Sequence, residues 1–311
     1  MINQNKRISN WSEYNNNLKR RGSIDIWIEP NIRGKWYEAH NGKKGGQIKY
    51  SDFAIQTMLT IGKVFHQRLR QTEGLVESIF RLLRIKVEIA DYTTLSRRGE
   101  DLKVVIPKEE KESVHIIVDS SGVKVFGEGE WKVSKHGYSK RRTWKKIHIA
   151  IDSDQEVRAV TTTNNDIADC AEVENLLNQE ESKIDDFTGD GGYDKKKVYD
   201  ITKRRKIKNV IVPPQKNAKI WIHGNSKTER HQRDENLRGV RKYGRKGWKT
   251  KSRYHVRSLV ETFYYRYKTI LGDHMNARCD KRQETESKIS CSVLNIMRNI
   301  GFPKYEEIKI Y

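Results

Sequence analysis

The run Val114-His115-Ile116-Ile117-Val118, which ends at Asp119, most narrows what this chain can become. A continuous apolar run of that length is what a strand buried on both faces requires. Further strand-like runs follow it. Gly122-Val123-Lys124-Val125-Phe126 is expected to return beside the first. Lys146–Ile151 and Val157–Thr162 flank the turn Asp152-Ser153-Asp154, a hairpin signature. Ala171–Gln179 reads as a helix, Asp186-Phe187-Thr188 leads into a glycine turn, and Val198–Lys206 is again helical. Asn209–Val212 is a last strand, stopped by Pro213-Pro214. A meander followed by alternating helix and strand predicts an α/β fold, a mixed sheet flanked by helices.

The first hundred residues differ. Ser51 or Asp52 can cap a helix beginning Phe53-Ala54-Ile55, and Thr72-Glu73-Gly74-Leu75 starts another. Asp91 can cap a third, Tyr92 to Arg98. Two helices, a turn and a short polar helix carrying Arg97 and Arg98 suggest a helix-turn-helix-like reader of DNA, with plain helical packing as the alternative. The charged stretch Asp101–Glu112 is a boundary. It gives an all-α domain over 1–105 and an α/β domain over 106–311.

Charge says what such a chain handles. There are 62 Lys+Arg against 41 Asp+Glu, a net +21, and cations in that excess favour polyanions because each phosphate they meet releases counterions. Most of the excess lies between Lys195 and Arg257, where about 22 basic residues face 4 acids. A smaller knot spans Lys132–Lys146. Aromatic residues are interleaved with both: Trp131, Tyr138 and Trp144 in the knot, Trp221, Tyr243, Trp248 and Tyr254 in the longer stretch. Flat rings among cations suit phosphates and unstacked bases. The part of this stretch over about 213–250 reads as a basic insertion in the α/β domain. No apolar run is long enough to span a membrane, and the amino terminus is polar. Three cysteines, Cys170, Cys279 and Cys291, form no Cys-x-x-Cys pair, which excludes a zinc ribbon and fits reduced thiols. The expectation is a cytoplasmic, nucleoid-associated protein.

Three acids stand out against this basic background. Asp119 ends the apolar run, where a carboxylate would be lifted out of the sheet; a turn residue would read the same way. Asp190 sits in Thr188-Gly189-Asp190-Gly191-Gly192-Tyr193-Asp194, and glycines on both sides let a ligand approach the backbone. They favour it over Asp185, Asp186 and Asp194, though an ordinary turn also fits. The stretch Tyr254–Gly272 reads as one helix. At about 100° per residue, Tyr254, Arg257, Glu261 and Lys268 fall within an arc of about 60°, opposite an aliphatic face. Alone, that arc is also a surface ion-pair row. Together the three acids are the oxygen ligands Mg²⁺ prefers, and the surrounding cations would hold the polyanion that the acids repel.

These residues resemble the DDE transposases of bacterial insertion sequences, of the insertion-sequence-four/five type. Tyr254, Arg257, Glu261 and Lys268 match every spacing of that family's last motif. Val118-Asp119-Ser120-Ser121-Gly122 and Gly189–Asp194 look like its first and second acidic motifs, and the region with Leu69–Gly74 and Asp91–Arg98 is similar to its amino-terminal domain. The resemblance covers nearly the whole chain and implies an RNase H-like fold. It implies that Asp119, Asp190 and Glu261 hold two Mg²⁺ ions, with Mn²⁺ as substitute, for cleavage at terminal inverted repeats and strand transfer into target DNA. Arg257 and Lys268 would contact DNA near the scissile phosphate and Tyr254 would support them. Trp221 or Trp248 would stack on a terminal base. A homodimer on double-stranded DNA follows from the need to join two ends. A stand-alone nuclease of this fold, which has no need of a reader domain, and a decayed copy kept as a repressor, which has no need of an acidic triad, are the competing readings.

Overall fold

The computed structural model describes residues 6–40, 42, 45–125, 144–222 and 231–307. The chain divides into two compact units, Met1–Pro107 with Ser292–Tyr311, and Lys108–Cys291. By this division the last twenty residues join the first unit, whereas the sequence reading left them in the second.

The first unit opens with β1 (Lys6–Ile8), which pairs antiparallel with the terminal strand Tyr305–Glu307. That pairing is what brings the two chain ends into one unit. Helices α1 (Trp11–Arg20) and α2 (Ile32–Lys35) precede the trio read from sequence: α3 (Asp52–Val64), α4 (Leu69–Leu82) and α5 (Tyr92–Arg98). Ser51 caps α3, its hydroxyl accepting from the Ala54 amide. Thr72, read as the start of α4, lies inside the helix, which begins at Leu69. It is buried against Gly62 of α3, where a Cβ would come within 2.3 Å of the Thr72 hydroxyl. A small residue on one helix and a hydroxyl on the next therefore set how closely they pack. Asp91 caps α5, accepting from the Thr93 and Thr94 amides at 2.8 and 2.9 Å.

The second unit is the expected mixed sheet. Strands β2 (Ser113–Val125), β3 (Trp144–Ile151), β4 (Val157–Asn164), β5 (Lys183–Thr188) and β6 (Asn209–Ile211) lie in the order β4-β3-β2-β5-β6. The first three form an antiparallel meander, and β5 and β6 add in parallel. Helices α6 (Val173–Leu177) and α7 (Lys196–Arg204) cover one face, where Val173, Leu176, Val198 and Tyr199 pack with Ile116, Val118 and Ala150. Next come α8 (Gln232–Lys251), broken at Gly244 with φ 69°, and α9 (Ser258–Leu271). A short strand β7 (His274–Met275) pairs in parallel with the far end of β2, and α10 (Asp280–Ile300) follows. Along β2, Ile117 and Asp119 alternate onto the face opposite Ile116 and Val118. With Ile116, Ile117 and Val118 all fully buried, the strand is covered on both sides.

One element departs from expectation. No second strand returns at Gly122: β2 continues through it, in register with β3 from Ile117↔Ile151 to Lys124↔Trp144. Asp119 is therefore a mid-strand residue, not a strand end. Gly122, read as the first residue of that returning strand, provides clearance instead, since a Cβ there would lie 3.1 Å from the Trp144 ring. Trp131 and Tyr138 fall outside the described residues. The α/β fold of the sequence reading, a mixed sheet flanked by helices, is the fold observed, and it is consistent with an RNase H-like core.

Candidate active site

Asp119 and Asp190 come from neighbouring parallel strands. Asp119 projects from the middle of β2 and its Oδ1 accepts from the Ser120 amide at 2.9 Å. Asp190 follows β5 and heads a tight turn, Gly191–Tyr193, with Oδ1 accepting from the Gly192 amide at 2.8 Å. The glycines around it have separate reasons. A Cβ at Gly189 would lie 2.9 Å from the Tyr193 ring, and one at Gly192 would lie 2.9 Å from Asp190 Oδ1. The neighbouring acids are otherwise engaged. Asp194 is buried in an ion pair with Arg233 at 2.8 Å, and Asp185 pairs with Lys183 and Lys208.

The third acid arrives on a helix that is not uniform. The predicted single helix is a 3-10 turn, Tyr254–Arg257, followed by α9. Arg253 before it and Gly272 after it both have positive φ, which brackets the motif. Val260, Phe263, Tyr264, Tyr267 and Leu271 form the buried face. The Tyr264 hydroxyl reaches the carbonyl oxygens of Ile147 at 2.8 Å and Asp119 at 3.0 Å, fixing α9 to the strand that carries the first acid. Glu261, on the exposed side, is ion-paired with Arg257 Nη1. Arg257 Nη2 lies 3.1 Å from Asp119 Oδ2. One guanidinium thus ties the strand acid to the helix acid.

Electrostatics link the set. Burial pushes the Asp119 carboxyl up to about 6; Arg257 opposes this, and the nearby Asp190 adds to it. The Tyr254 phenol is raised by burial and lowered by Arg257, and it is raised again by Asp190, Asp119 and Glu261. Tyr254 therefore feels all three acids. Among the described residues no three His, Cys, Asp or Glu side chains are gathered closely enough to hold a metal ion. Their chemistry suits a hard divalent cation, but two of the three carboxylates are engaged by Arg257.

The remaining sequence candidates scatter. Lys268, about two turns beyond Glu261, is half-buried, with no carboxylate partner among the described residues. In the first unit, Arg97 is exposed, whereas Arg98 pairs with Asp52 and donates to the Tyr50 carbonyl. Trp248 is buried, where a Cβ on Gly239 would meet it at 2.8 Å, and its ring is 6.0 Å from that of Tyr254. Trp221 is partly exposed, with one face under the Arg233 guanidinium at 4.1 Å and its edge against Tyr199 and His231. Asp234 accepts from the Trp221 and Ile222 amides and anchors that segment.

Two residues near the site went unread in the sequence. Asp169 holds Lys146 at 3.0 Å and its charge reaches both Asp119 and Tyr193; no local motif signals it. Tyr265 is 71 % exposed on α9, four residues after Glu261 and three before Lys268. Extending the helical arc by one position would have found it.

Two matches to known families bear on this arrangement. Residues 19–128 match one family and residues 110–296 another, each described as a Transposase DDE domain. The second match spans more than half of the chain and contains Asp119, Asp190 and Glu261.

Proposed function

The chain belongs to the DDE transposases of insertion-sequence type, and on that premise we propose that it cuts the terminal inverted repeats of its own element and joins them to target DNA. The observation that carries this reading is the single Arg257 guanidinium that pairs with both Asp119 of β2 and Glu261 of α9 inside the matched region, with Asp190, just after β5, near enough to raise Asp119. Asp119, Asp190 and Glu261 are the catalytic carboxylates.

The chemistry is in-line phosphoryl transfer. Water attacks the phosphorus at the element's end, the P–O bond to the 3′-oxygen breaks, and that oxygen leaves as a 3′-hydroxyl once protonated. The hydroxyl then attacks a target phosphodiester, forming one P–O bond as another breaks, so that no ATP and no covalent enzyme intermediate are required. The family typically uses divalent metals. Two Mg²⁺ ions, or Mn²⁺, held by Asp119, Asp190 and Glu261 would supply Lewis-acid stabilisation of the oxygens around phosphorus.

The chain's other groups position the DNA. Arg257 and Lys268 take phosphates beside the reacting one, and Tyr254 braces Arg257. Arg97 on α5 contacts DNA from the helical domain, residues 1–105, while Arg98 holds α5 in place. The catalytic domain covers 106–311. Trp221 has the exposure to stack on an end base, and Trp248 supports Tyr254 from behind. Joining two ends calls for a homodimer on double-stranded DNA.

The test is nicking of supercoiled plasmid with Mn²⁺ by the parent protein and Glu261→Gln, with DNA binding followed in parallel. The parent should nick, and the variant should bind without nicking. Equal nicking by both would remove Glu261 from the chemistry. If both bind and neither nicks, plasmids carrying the element's own ends decide between an end-dependent enzyme and a non-catalytic binding protein.

A further inference from the structure

Arg257 is placed unusually for a residue that only grips DNA. Its Nη2 faces Asp119 Oδ2 at 3.1 Å and its Nη1 is paired with Glu261, so two of the three catalytic acids share one guanidinium. Its Nε is buried with no hydrogen-bond partner among the described residues. Asp190 is outside this arrangement, its Oδ1 bound to the Gly192 amide. The guanidinium holds Asp119 Oδ2 and Glu261 Oε1, two of the carboxylate oxygens that a divalent ion could use, and a cation at either carboxylate would be repelled by Arg257 at close range. Phosphate is the other group to which a guanidinium binds through two parallel hydrogen bonds.

We infer that Arg257 is the site's resident counter-cation in the DNA-free protein. A divalent ion binds Asp119 and Glu261 only by displacing it, and the phosphate backbone of bound DNA is the acceptor that draws the guanidinium away. Metal loading is thereby coupled to DNA binding, which keeps the free protein from assembling a complete cutting centre. The competition for the carboxylates stands on the geometry alone. The part played by phosphate rests on the transposase reading.

The coupling is measurable without turnover, by titrating the full-length protein with Mn²⁺ and following free ion by electron paramagnetic resonance. Without DNA, Arg257→Gln should bind Mn²⁺ about tenfold tighter than the parent, and Arg257→Lys, which keeps the charge, should resemble the parent. Adding Glu261→Gln to Arg257→Gln should abolish the gain. A damaged fold lowers affinity, so it cannot imitate the expected result. Arg257→Gln binding no tighter than the parent, or a gain that survives Glu261→Gln, overturns the competition. A short DNA duplex should tighten Mn²⁺ binding by the parent and add much less to Arg257→Gln. Equal tightening in both overturns the role of phosphate. If fluorescence anisotropy finds no DNA binding at all, the phosphate role falls together with the transposase reading, while the outcome without DNA still decides the competition.

Discussion

Two arginines in the sheet-bearing unit each bridge two carboxylates, and they do so on opposite terms. Arg158 on β4 donates from Nε and Nη2 to Glu180 at 2.7 and 2.8 Å, and from Nη1 to Glu156 and the Glu109 carbonyl, both at 2.8 Å. All three nitrogens are used, and the three side chains are at most 3 % exposed. Arg257 uses two nitrogens, leaves Nε without a partner among the described residues and is 22 % exposed. The acids record the difference. Burial alone would raise Glu180, yet Arg158 and Ser182 hold it down at about 2, whereas burial lifts Asp119 to about 6 against the pull of Arg257. A charge knot inside a fold is stable only when every group is satisfied. The first knot meets that condition and is architecture. The second does not, and is suited to exchanging its partner.

The sharpest way to break the contrast is to neutralise one acid from each knot. Asp119→Asn should lower plasmid cleavage by at least about a thousandfold, since several kcal/mol of transition-state stabilisation are at stake. Glu180→Gln should leave cleavage per folded molecule unchanged, with the folded fraction read by circular dichroism in the same samples. Similar losses in both would mean that Asp119 matters only as structure.

Stability should reverse the ranking. Arg158→Ala strands Glu156 and Glu180 in the interior and should cost about 3–5 kcal/mol in urea unfolding. Arg257→Ala should cost about 1 kcal/mol or less, because Glu261 lies largely in solvent and Arg257 itself is partly exposed. A loss at Arg257 as large as at Arg158 would make the active-site pair a structural brace.

Acidity separates the knots a third way. Glu180 falls from an ordinary 4.5 to about 2 on folding, so it contributes stability present above pH 4.5 and lost as pH falls toward 2. Asp119 rises from 3.8 to about 6, so the folded chain binds its proton more tightly and stability declines as pH climbs from 3.8 to 6. Asp119→Asn should therefore be more stable than the parent at neutral pH by up to about 3 kcal/mol. The advantage should vanish near pH 4. Thermal unfolding across that range checks it, and an Asn variant less stable at neutral pH would show that the pairing with Arg257 outweighs burial.

The sequence carried much of this contrast in local spacing. The Tyr254–Lys268 motif, the glycines around Asp190 and most of the strand runs are short-range patterns that fall on observed elements, although the run at Gly122 belongs to β2 and the Tyr254 helix opens as a 3-10 turn. What it could not carry depends on contacts between distant positions. Gly122 looks like the start of a second strand until β2 is seen to run through it, with Trp144, 22 residues later, lying over it. Arg98 looks like a free DNA contact until Asp52 is placed beside it, and Trp248 looks like a base-stacking ring until Gly239 is seen to make room for it inside the fold. Arg257 and Asp119 are 138 positions apart. A motif could name both residues, but not the ion pair between them. The joining of Ser292–Tyr311 to the first unit is likewise invisible in a chain read from one end to the other.

The smallest expected effect distinguishes a cation already occupied by protein from one that is not. Lys268 lies on the same helix face as Glu261, with no carboxylate partner among the described residues, so its charge is available to DNA from the start. Replacing it with Gln should weaken binding to every duplex alike and reduce the slope of log affinity against log salt by about 0.9, the share of one phosphate contact. Arg257→Gln should change that slope less when Mn²⁺ is absent, because removing the arginine also unmasks two carboxylates that repel phosphate. Equal slopes for the two variants would mean that the guanidinium gives up nothing when it turns to DNA, and that Asp119 and Glu261 do not compete for it.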